Sequence, residues 1–315
     1  MLNKIIYGIK TRGLTGMTKL SASYGRWYWH KCFNRSRQFL RQLDGYRMYL
    51  NLDDPGISTT LGRGGAREKE HTKILSEELK PGMVVWDIGA NFGYYALMEA
   101  AMVGPTGKIY AVEPVPGNYQ FLVKNVALNH FADRIETFQM AISDIVGTQS
   151  LFLSRYSNLN TLFQQDSRQH QGMSGETIEV KTMDVKTFLA DKRPIDLIRM
   201  DIEGSEVEVL NGLVQVFDQL KKKPKILFET HPPKYHESHS LRKPLESLMQ
   251  KGYYVKYLVS NSDDGTKWRD LGYQPFEIIA TDGTTRGIYS GIKNEDAVHL
   301  LSQRGGVRAV LLASG

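Results

Sequence analysis

The segment Asp87-Ile88-Gly89-Ala90-Asn91-Phe92-Gly93 has the make-up of a ligand-binding turn. It follows a short apolar run and precedes a helical stretch, YYALMEAAM (94–102). Glycine at such a turn lets the backbone approach a ligand and tolerates positive φ. Ligands of open α/β sheets sit at the carboxyl ends of the strands, near the first βα turn. On its own, the segment reads equally well as a tight strand–helix turn with an incidental acid. Glu113 adds to it: it ends the run KIYAVE (108–113), 24 residues after Gly89, where an acid can accept hydrogen bonds from a ribose diol. That pair fits a nicotinamide cofactor as well as S-adenosylmethionine. The form of the turn separates them, because a dinucleotide site wants G-x-G-x-x-G and this turn reads D-x-G-x-x-x-G. An anionic Asp87 opposes a pyrophosphate and suits the cationic methionine end of S-adenosylmethionine.

A second set of groups follows the run LIRM (197–200). Asp201 and Glu203 close that strand, and Glu229 and His231 lie in FETHPP (228–233) on the next. Four ionisable groups at adjacent strand ends suit a base that takes a proton from a hydroxyl acceptor. Oxygen-rich ligands would also suit Mg²⁺, but the spacing fixes no geometry and no metal is assigned. A histidine with a tunable pKa suits a general base without being diagnostic of one. In the plain alternative, Asp201 receives backbone amides of 202–205 and His231 is a surface residue before a Pro-Pro turn. GRGG (62–65) lacks phosphate-loop spacing and reads as a lid over the donor or a plain loop.

The elements that must position these residues alternate from about residue 66 onward, as in an α/β fold with a mostly parallel sheet. Helices are expected at 67–80, 94–102, 118–128, after Ser205 and around 240–251. Strands are expected at 83–88, 108–113, 134–142, 150–154, 177–183, 195–201, 225–230, 253–259, 276–280 and 307–313. Ser205 and Glu208 have capping-box spacing, and 164–176 reads as an exposed loop.

Charge divides the chain. Nine Lys/Arg and no acid fall in residues 1–43, while the rest carries 31 basic against 34 acidic side chains. We therefore divide it into a basic, aromatic-rich extension (1–60) and a catalytic-type domain (61–315). The slightly acidic body disfavours an extended nucleic-acid face. The extension, with Tyr24, Trp27, Tyr28, Trp29 and Phe33 among basic residues, is read as an amphipathic helix packed on the body. Behind that reading stand a membrane headgroup layer and then nucleic acid. With no apolar run of 18 residues and no signal-type h-region, a cytoplasmic protein, peripheral at a membrane at most, is expected. The single cysteine, Cys32, excludes an internal disulfide framework.

In combination, PGMVVWDIGANFGYYAL (81–97), YAVEPVPGNYQFLVKN (110–125), AISDIVG (141–147), VKTMDVKTFL (180–189) and IDLIRMDIEGSEVEVLNG (195–212) resemble the FkbM family of methyltransferases. The resemblance implies a Rossmann-like class I methyltransferase sandwich, with a mostly parallel seven-stranded sheet and helices on both faces. It implies S-adenosylmethionine as donor and transfer to oxygen of a glycan, glycolipid or secondary metabolite. By the same resemblance, Asp87, Gly89, Ala90, Asn91 and Gly93 line the methionine portion. Glu113 and Pro114 hold the ribose with Asn118 behind, and Ala141, Ile142 and Asp144 frame the adenine. Glu68 lies near the donor, with Glu70 as a competitor for that place. Acceptor loops are expected at 155–176 and 231–240. An RNA acceptor, a nicotinamide-dependent oxidoreductase and an inactive binding module are the alternatives, and oligomeric state is left open.

Overall fold

The computed structural model describes residues 21–65, 67–163, 173–262 and 266–315. After a helix at 21–33 (α1) come the hairpin β1 (Gln38–Gln42) and β2 (Arg47–Asn51), then α2 (Ile57–Gly62) and α3 (Lys69–Glu78). The body continues with β3 (Val84–Ile88), α4 (Tyr94–Val103), β4 (Lys108–Val112), α5 (Pro116–Leu128) and β5 (Ile135–Phe138). Next are β6 (Ala141–Ile142), β7 (Gly147–Ser154), β8 (Met173–Met183), α6 (Val185–Leu189), β9 (Leu197–Met200) and α7 (Glu206–Val216). Last come β10 (Lys225–Glu229), α8 (Arg242–Gln250), β11 (Tyr253–Ser260), α9 (Thr266–Arg269), β12 (Glu277–Thr281), β13 (Thr284–Tyr289), α10 (Asn294–His299) and β14 (Val307–Ser314).

The main sheet has the order β12-β13-β11-β14-β10-β9-β3-β4-β5. The pairs β3–β4, β4–β5, β3–β9 and β9–β10 are parallel, and β14 inserts antiparallel between β10 and β11. This is the expected Rossmann-like sheet, with its topological switch between β3 and β9, but it has nine strands rather than seven. The addition is the hairpin β12–β13, turned by Asp282-Gly283, both at positive φ, as a two-residue hairpin loop requires. The expected strand 134–142 breaks after Phe138. β5 stays in the main sheet, whereas β6 pairs with β8 in a separate three-stranded sheet β6-β8-β7. Residues 164–172 of the expected loop lie outside the described residues.

Period-two alternation sends the central strands' side chains into two cores. Trp86, Ile198 and Phe228 face α6, α7 and α8, where Trp86 stacks on Phe188 at 4.6 Å. Val85, Leu197 and Leu227 face α3, α4 and α5. On that second face Asp87 and Arg199 are direct cross-strand partners in the β3–β9 register, and both are buried. Arg199 Nη1 donates to Asp87 Oδ1 at 3.2 Å, and its guanidinium lies 4.0 Å over the Tyr95 ring. Glu99 on α4 is buried nearby; desolvation, then repulsion from Asp87, pushes its pKa well up.

The N-terminal segment joins the second core: Phe39, Met48, Leu50, Ile57 and Leu61 are buried with residues of α4 and α5. Asn125 on α5 and Asn129, which caps it, accept from the β2 amides of Tyr49 and Arg47, each at 2.7 Å, satisfying an edge that would otherwise invite pairing. The acid-free stretch ends at residue 43, and the packing of Phe39 to Leu61 runs on into the body. Trp27 of α1 is fully buried against Gly62, and Arg63 lies 5.5 and 5.2 Å from the rings of Tyr24 and Tyr28. Trp29 and Phe33 remain 60% and 69% exposed. Only part of the helix's aromatic face is therefore packed on the body, and the first 20 residues of the arm lie outside the described residues. No helix among the described residues is long and apolar enough to cross a membrane.

Two stability measurements follow from this packing. A Cβ at Gly62 would meet the Trp27 ring at 1.9 Å, so Gly62→Ala should lower the urea midpoint by the equivalent of about 1–3 kcal/mol; an unchanged midpoint contradicts the packing. Arg199→Met strands a buried carboxylate and should cost about 3–5 kcal/mol. Adding Asp87→Leu should recover most of that loss, and a double variant as weak as the single one refutes the pairing.

Candidate functional site

A cavity opens at the carboxyl ends of β3, β4 and β9. The turn after β3 forms its floor. Gly89, at φ +83°, lies so close to the next strand end that a Cβ would sit 2.3 Å from the Asp201 carbonyl oxygen, so glycine is required there. Asn91 also adopts positive φ. Its amide N–H donates to Glu113 Oε2 at 2.9 Å, and its side-chain Nδ2 donates to the Ser157 carbonyl at 2.8 Å.

Glu113 directly follows β4 and is buried in the cavity wall. The Val115 amide and Asn118 Nδ2 donate to its Oε1 at 2.9 and 3.2 Å. Burial outweighs these donors and pushes its pKa up to about 7.

Across the floor, Asp201 and Glu203 line the other side. Arg199 Nη2 donates to Asp201 Oδ2 at 3.2 Å, and Glu203 is held at positive φ (51°) with its carbonyl bonded by Thr161 Oγ1. Glu68 closes a third wall: its Oε2 accepts from Tyr95 Oη at 2.6 Å, and its Oε1 from Arg67 and Arg308, each at 2.8 Å. Glu70 turns away to Arg286 and His71, so of the two glutamates it is Glu68 that lines the cavity. Ser157, Asn158, Asn160 and Thr161 from the loop after β7 cover the cavity.

The structure thus brings Glu68, Gly89, Ala90, Asn91, Glu113, Pro114, Ala141, Ile142, Asp201 and Glu203 to one cavity. Of the residues expected at the donor, four do not line this cavity. Asp87 is sealed beneath the floor by Arg199 and does not line the cavity; the acids that face it are Glu68, Glu113, Asp201 and Glu203. Gly93 caps α4, where a Cβ would meet Leu122 Cδ1 at 2.9 Å, so it serves helix packing. Asn118 stands behind Glu113 as a donor. Asp144 lies past the end of β6 and is exposed, accepting from Ser143 Oγ.

His231 occupies an adjoining hollow with Glu203, Pro232, Lys234 and Arg308. It is no surface residue. Its Nδ1 lies 2.9 Å from Glu206 Oε1, and its Nε2 lies 3.5 Å from Asp201 Oδ1 and 3.4 Å from Glu203 Oε1. Burial alone would lower its pKa, but three carboxylates drive it well above the usual value, so the free imidazole is a poor proton acceptor at neutral pH. The expected capping box is also replaced. Ser205 makes no side-chain cap; Glu206 accepts from the Ile202 and Gly204 amides at 3.2 and 3.0 Å, and Glu208 pairs with His239.

Sequence reasoning missed Arg199, Tyr95, Arg67 and Arg308. Of the segment 155–176 expected to serve the acceptor, Ser157, Asn158, Asn160, Thr161 and Leu162 line this cavity. GRGG holds the end of α2 and the turn after it; the next described residue, Arg67, reaches the cavity.

Residues 87–273, more than half of the chain, match the methyltransferase FkbM domain model. The chain is 28% identical over 198 residues to methyltransferase sdnD of Sordaria araneosa, covering 54% of this chain and 73% of that one. It is 27% identical over 162 residues to the 31-O-demethyl-FK506 methyltransferase FkbM of Streptomyces tacrolimicus, covering 43% and 61%. It is 22% identical over 155 residues to the hexuronic acid methyltransferase AglP of Haloferax volcanii, covering 49% and 59%. The match thus spans less than two thirds of the latter two relatives' lengths. The glycine turn, the acid at the end of β4 and the acids at the end of β9 all fall inside the matched region, and the chain belongs to the FkbM family of S-adenosylmethionine-dependent methyltransferases.

Proposed function

We propose that the protein transfers the methyl group of S-adenosylmethionine to a hydroxyl oxygen of a glycan, glycolipid or secondary metabolite. The observation that carries this reading is the cavity's polarity. Glu113 stands at one side for a ribose diol, and Asp201 and Glu203 stand at the other beside a second hollow that can admit an acceptor. Four acids against two arginines, Arg67 and Arg199, give the lining a negative balance that favours a sulfonium and opposes a pyrophosphate. The names of the FkbM and AglP relatives, a 31-O-demethyl-FK506 and a hexuronic acid methyltransferase, support an oxygen acceptor of the metabolite or sugar kind.

The donor supplies an activated methyl group, so the protein's part is to orient the acceptor and receive its proton. Glu203 borders both the cavity and the hollow and is the group placed to receive it. Asp201, fixed by Arg199, orients the same corner. The exposed Trp29 and Phe33, on a helix that also carries Arg26 and Lys31, support peripheral contact with an anionic membrane surface, where a lipid-linked acceptor would lie.

Calorimetry with S-adenosylmethionine and with NAD tests the donor; preference for NAD, or no binding of either, overturns the proposal. Glu113→Ala removes charged hydrogen bonds and should weaken donor binding by about tenfold to a hundredfold. Because the ribose hydroxyls donate to the ionised carboxylate, affinity should rise as pH increases through about 7. Glu113→Gln should flatten that dependence. Glu203→Gln and Asp201→Asn should each reduce turnover about a hundredfold or more. Labelled donor incubated with a fractionated extract reports the acceptor, and label in RNA alone refutes the oxygen-acceptor reading. Sedimentation with anionic liposomes at low salt should carry the protein down; its staying in solution rules out the membrane contact.

A further inference from the structure

The corner between β9 and β10 is built with more order than proton transfer needs. His231 Nδ1 is backed by Glu206 Oε1 at 2.9 Å, which fixes the ring and directs Nε2 between Asp201 Oδ1, 3.5 Å away, and Glu203 Oε1, 3.4 Å away. Tyr235 Oη and the backbone amides of Ile202 and Gly204 hold Glu206 in turn. Arginines hold one oxygen of each acid: Arg199 binds Asp201 Oδ2 at 3.2 Å, and Arg308 binds Glu229 Oε2 at 2.5 Å. One ligand atom from each of Asp201, Glu229 and His231 lies within 4.8 Å of the others.

An independent observation points to a ligand. Glu229 is 1% exposed, and its Oε1 accepts no hydrogen bond; the nearest ion-pair atom is His71 Nε2 at 3.6 Å. A buried carboxylate oxygen left unsatisfied is costly. The distance from His231 Nε2 to Asp201 is also too long for a good hydrogen bond. It matches the separation of about 3.4 Å between two donors that each lie about 2.1 Å from one tetrahedral ion. A carboxylate behind the non-ligating nitrogen is the usual way a metal-binding histidine is oriented.

We propose that Asp201, Glu229 and His231 bind one divalent first-row transition-metal ion, with Mn²⁺ as the probe of choice. One imidazole and two carboxylates form a mixed nitrogen–oxygen set suited to such ions. Three protein ligands leave coordination positions open to substrate, on the side where Asp201 faces the donor cavity and His231 the adjoining hollow. The role of the ion rests on the methyl-transfer reading. A cation beside the acceptor hydroxyl eases loss of its proton. The oxygen's electron pair forms the bond to the methyl carbon, the carbon–sulfur bond breaks with its pair passing to sulfur, and the proton goes to Glu203. Sulfonium becomes thioether, and nothing is oxidised or reduced.

The test uses the full chain stripped with a chelator and titrated with Mn²⁺, free ion being read by electron paramagnetic resonance. One ion per chain is expected, with a rise in Tm on binding. Asp201→Asn and His231→Gln should each weaken binding at least tenfold, while Lys234→Ala, in the same hollow, should bind as the wild type does. In case a variant does not fold, paramagnetic broadening of the His231 ring resonances in the wild-type protein gives the answer without substitution. Absence of uptake at millimolar Mn²⁺, affinity unchanged in both variants, or broadening away from His231 overturns the proposal. Donor binding is measured separately by calorimetry on the stripped protein. Donor binding without Mn²⁺ uptake overturns the metal site alone; Mn²⁺ uptake without donor binding overturns the methyl-transfer reading and leaves the site.

Discussion

Everything that meets at the cavity is referenced to the buried pair Asp87–Arg199. The two side chains leave adjacent parallel strands at the same register and on the same face. Removing them from water is justified only where geometry and further hydrogen bonds compensate. Arg199 makes four contacts that do so: Asp87 below, the Gly89 carbonyl at 3.4 Å, Asp201 beside it and the Tyr95 ring against its face. One guanidinium therefore locks the glycine turn, the end of β9 and the first turn of α4 into one frame. An apolar pair of equal volume would fill the space but would leave the turn and Asp201 free to choose other positions.

From that frame a chain of charged groups runs outward. Tyr95 passes a hydrogen bond to Glu68, Glu68 is shared by Arg67 and Arg308, and Arg308 reaches Glu229. Arg67 and Arg199 share the cavity lining with four acids, and Arg308 stands behind Glu68. The acids outnumber the cations, so the interior is negative while Glu68 and Asp201 each keep an arginine partner. Glu113, whose donors are neutral amides, and Glu203 are the exceptions, and burial pushes the pKa of each up to about 7.

The sequence discloses the parts of this design that are local and periodic. The strand runs at 83–88 and 195–201, the glycine turn and the acid at 113 are legible because strand period and turn chemistry act within a few residues. Asp87 shows where local reading stops. Its type and spacing are those of a ligand contact, but its neighbour across the sheet is 112 residues away, and that neighbour takes its charge. Glu206 was hidden in the same way, since its partners His231 and Tyr235 belong to another strand end. The two unforeseen hairpins are different. Asp44-Gly45 between β1 and β2, and Asp282-Gly283 between β12 and β13, are the strongest short-range hairpin signal. The flanking runs FLRQ and TTRGIY obscure that signal, because they carry arginine and threonine where a strand's apolar pattern would stand. Arg286 of β13 is buried as an ion partner of Glu70, which explains a charged residue inside a strand.

The cover of the cavity bears on how the molecule could change over time. The Ser157 carbonyl accepts from Asn91, Asn118 and Asn160 at once, so a loop read as acceptor territory is tied to both sides of the donor floor. Ile57, from the segment that charge alone would set apart, forms part of the same cavity's wall. Neither piece can be exchanged as a cassette. A lineage that altered its acceptor by rebuilding the 155–163 loop would have to rebuild around that one carbonyl, and a graft of the domain without residues 38–62 would carry over an incomplete vessel.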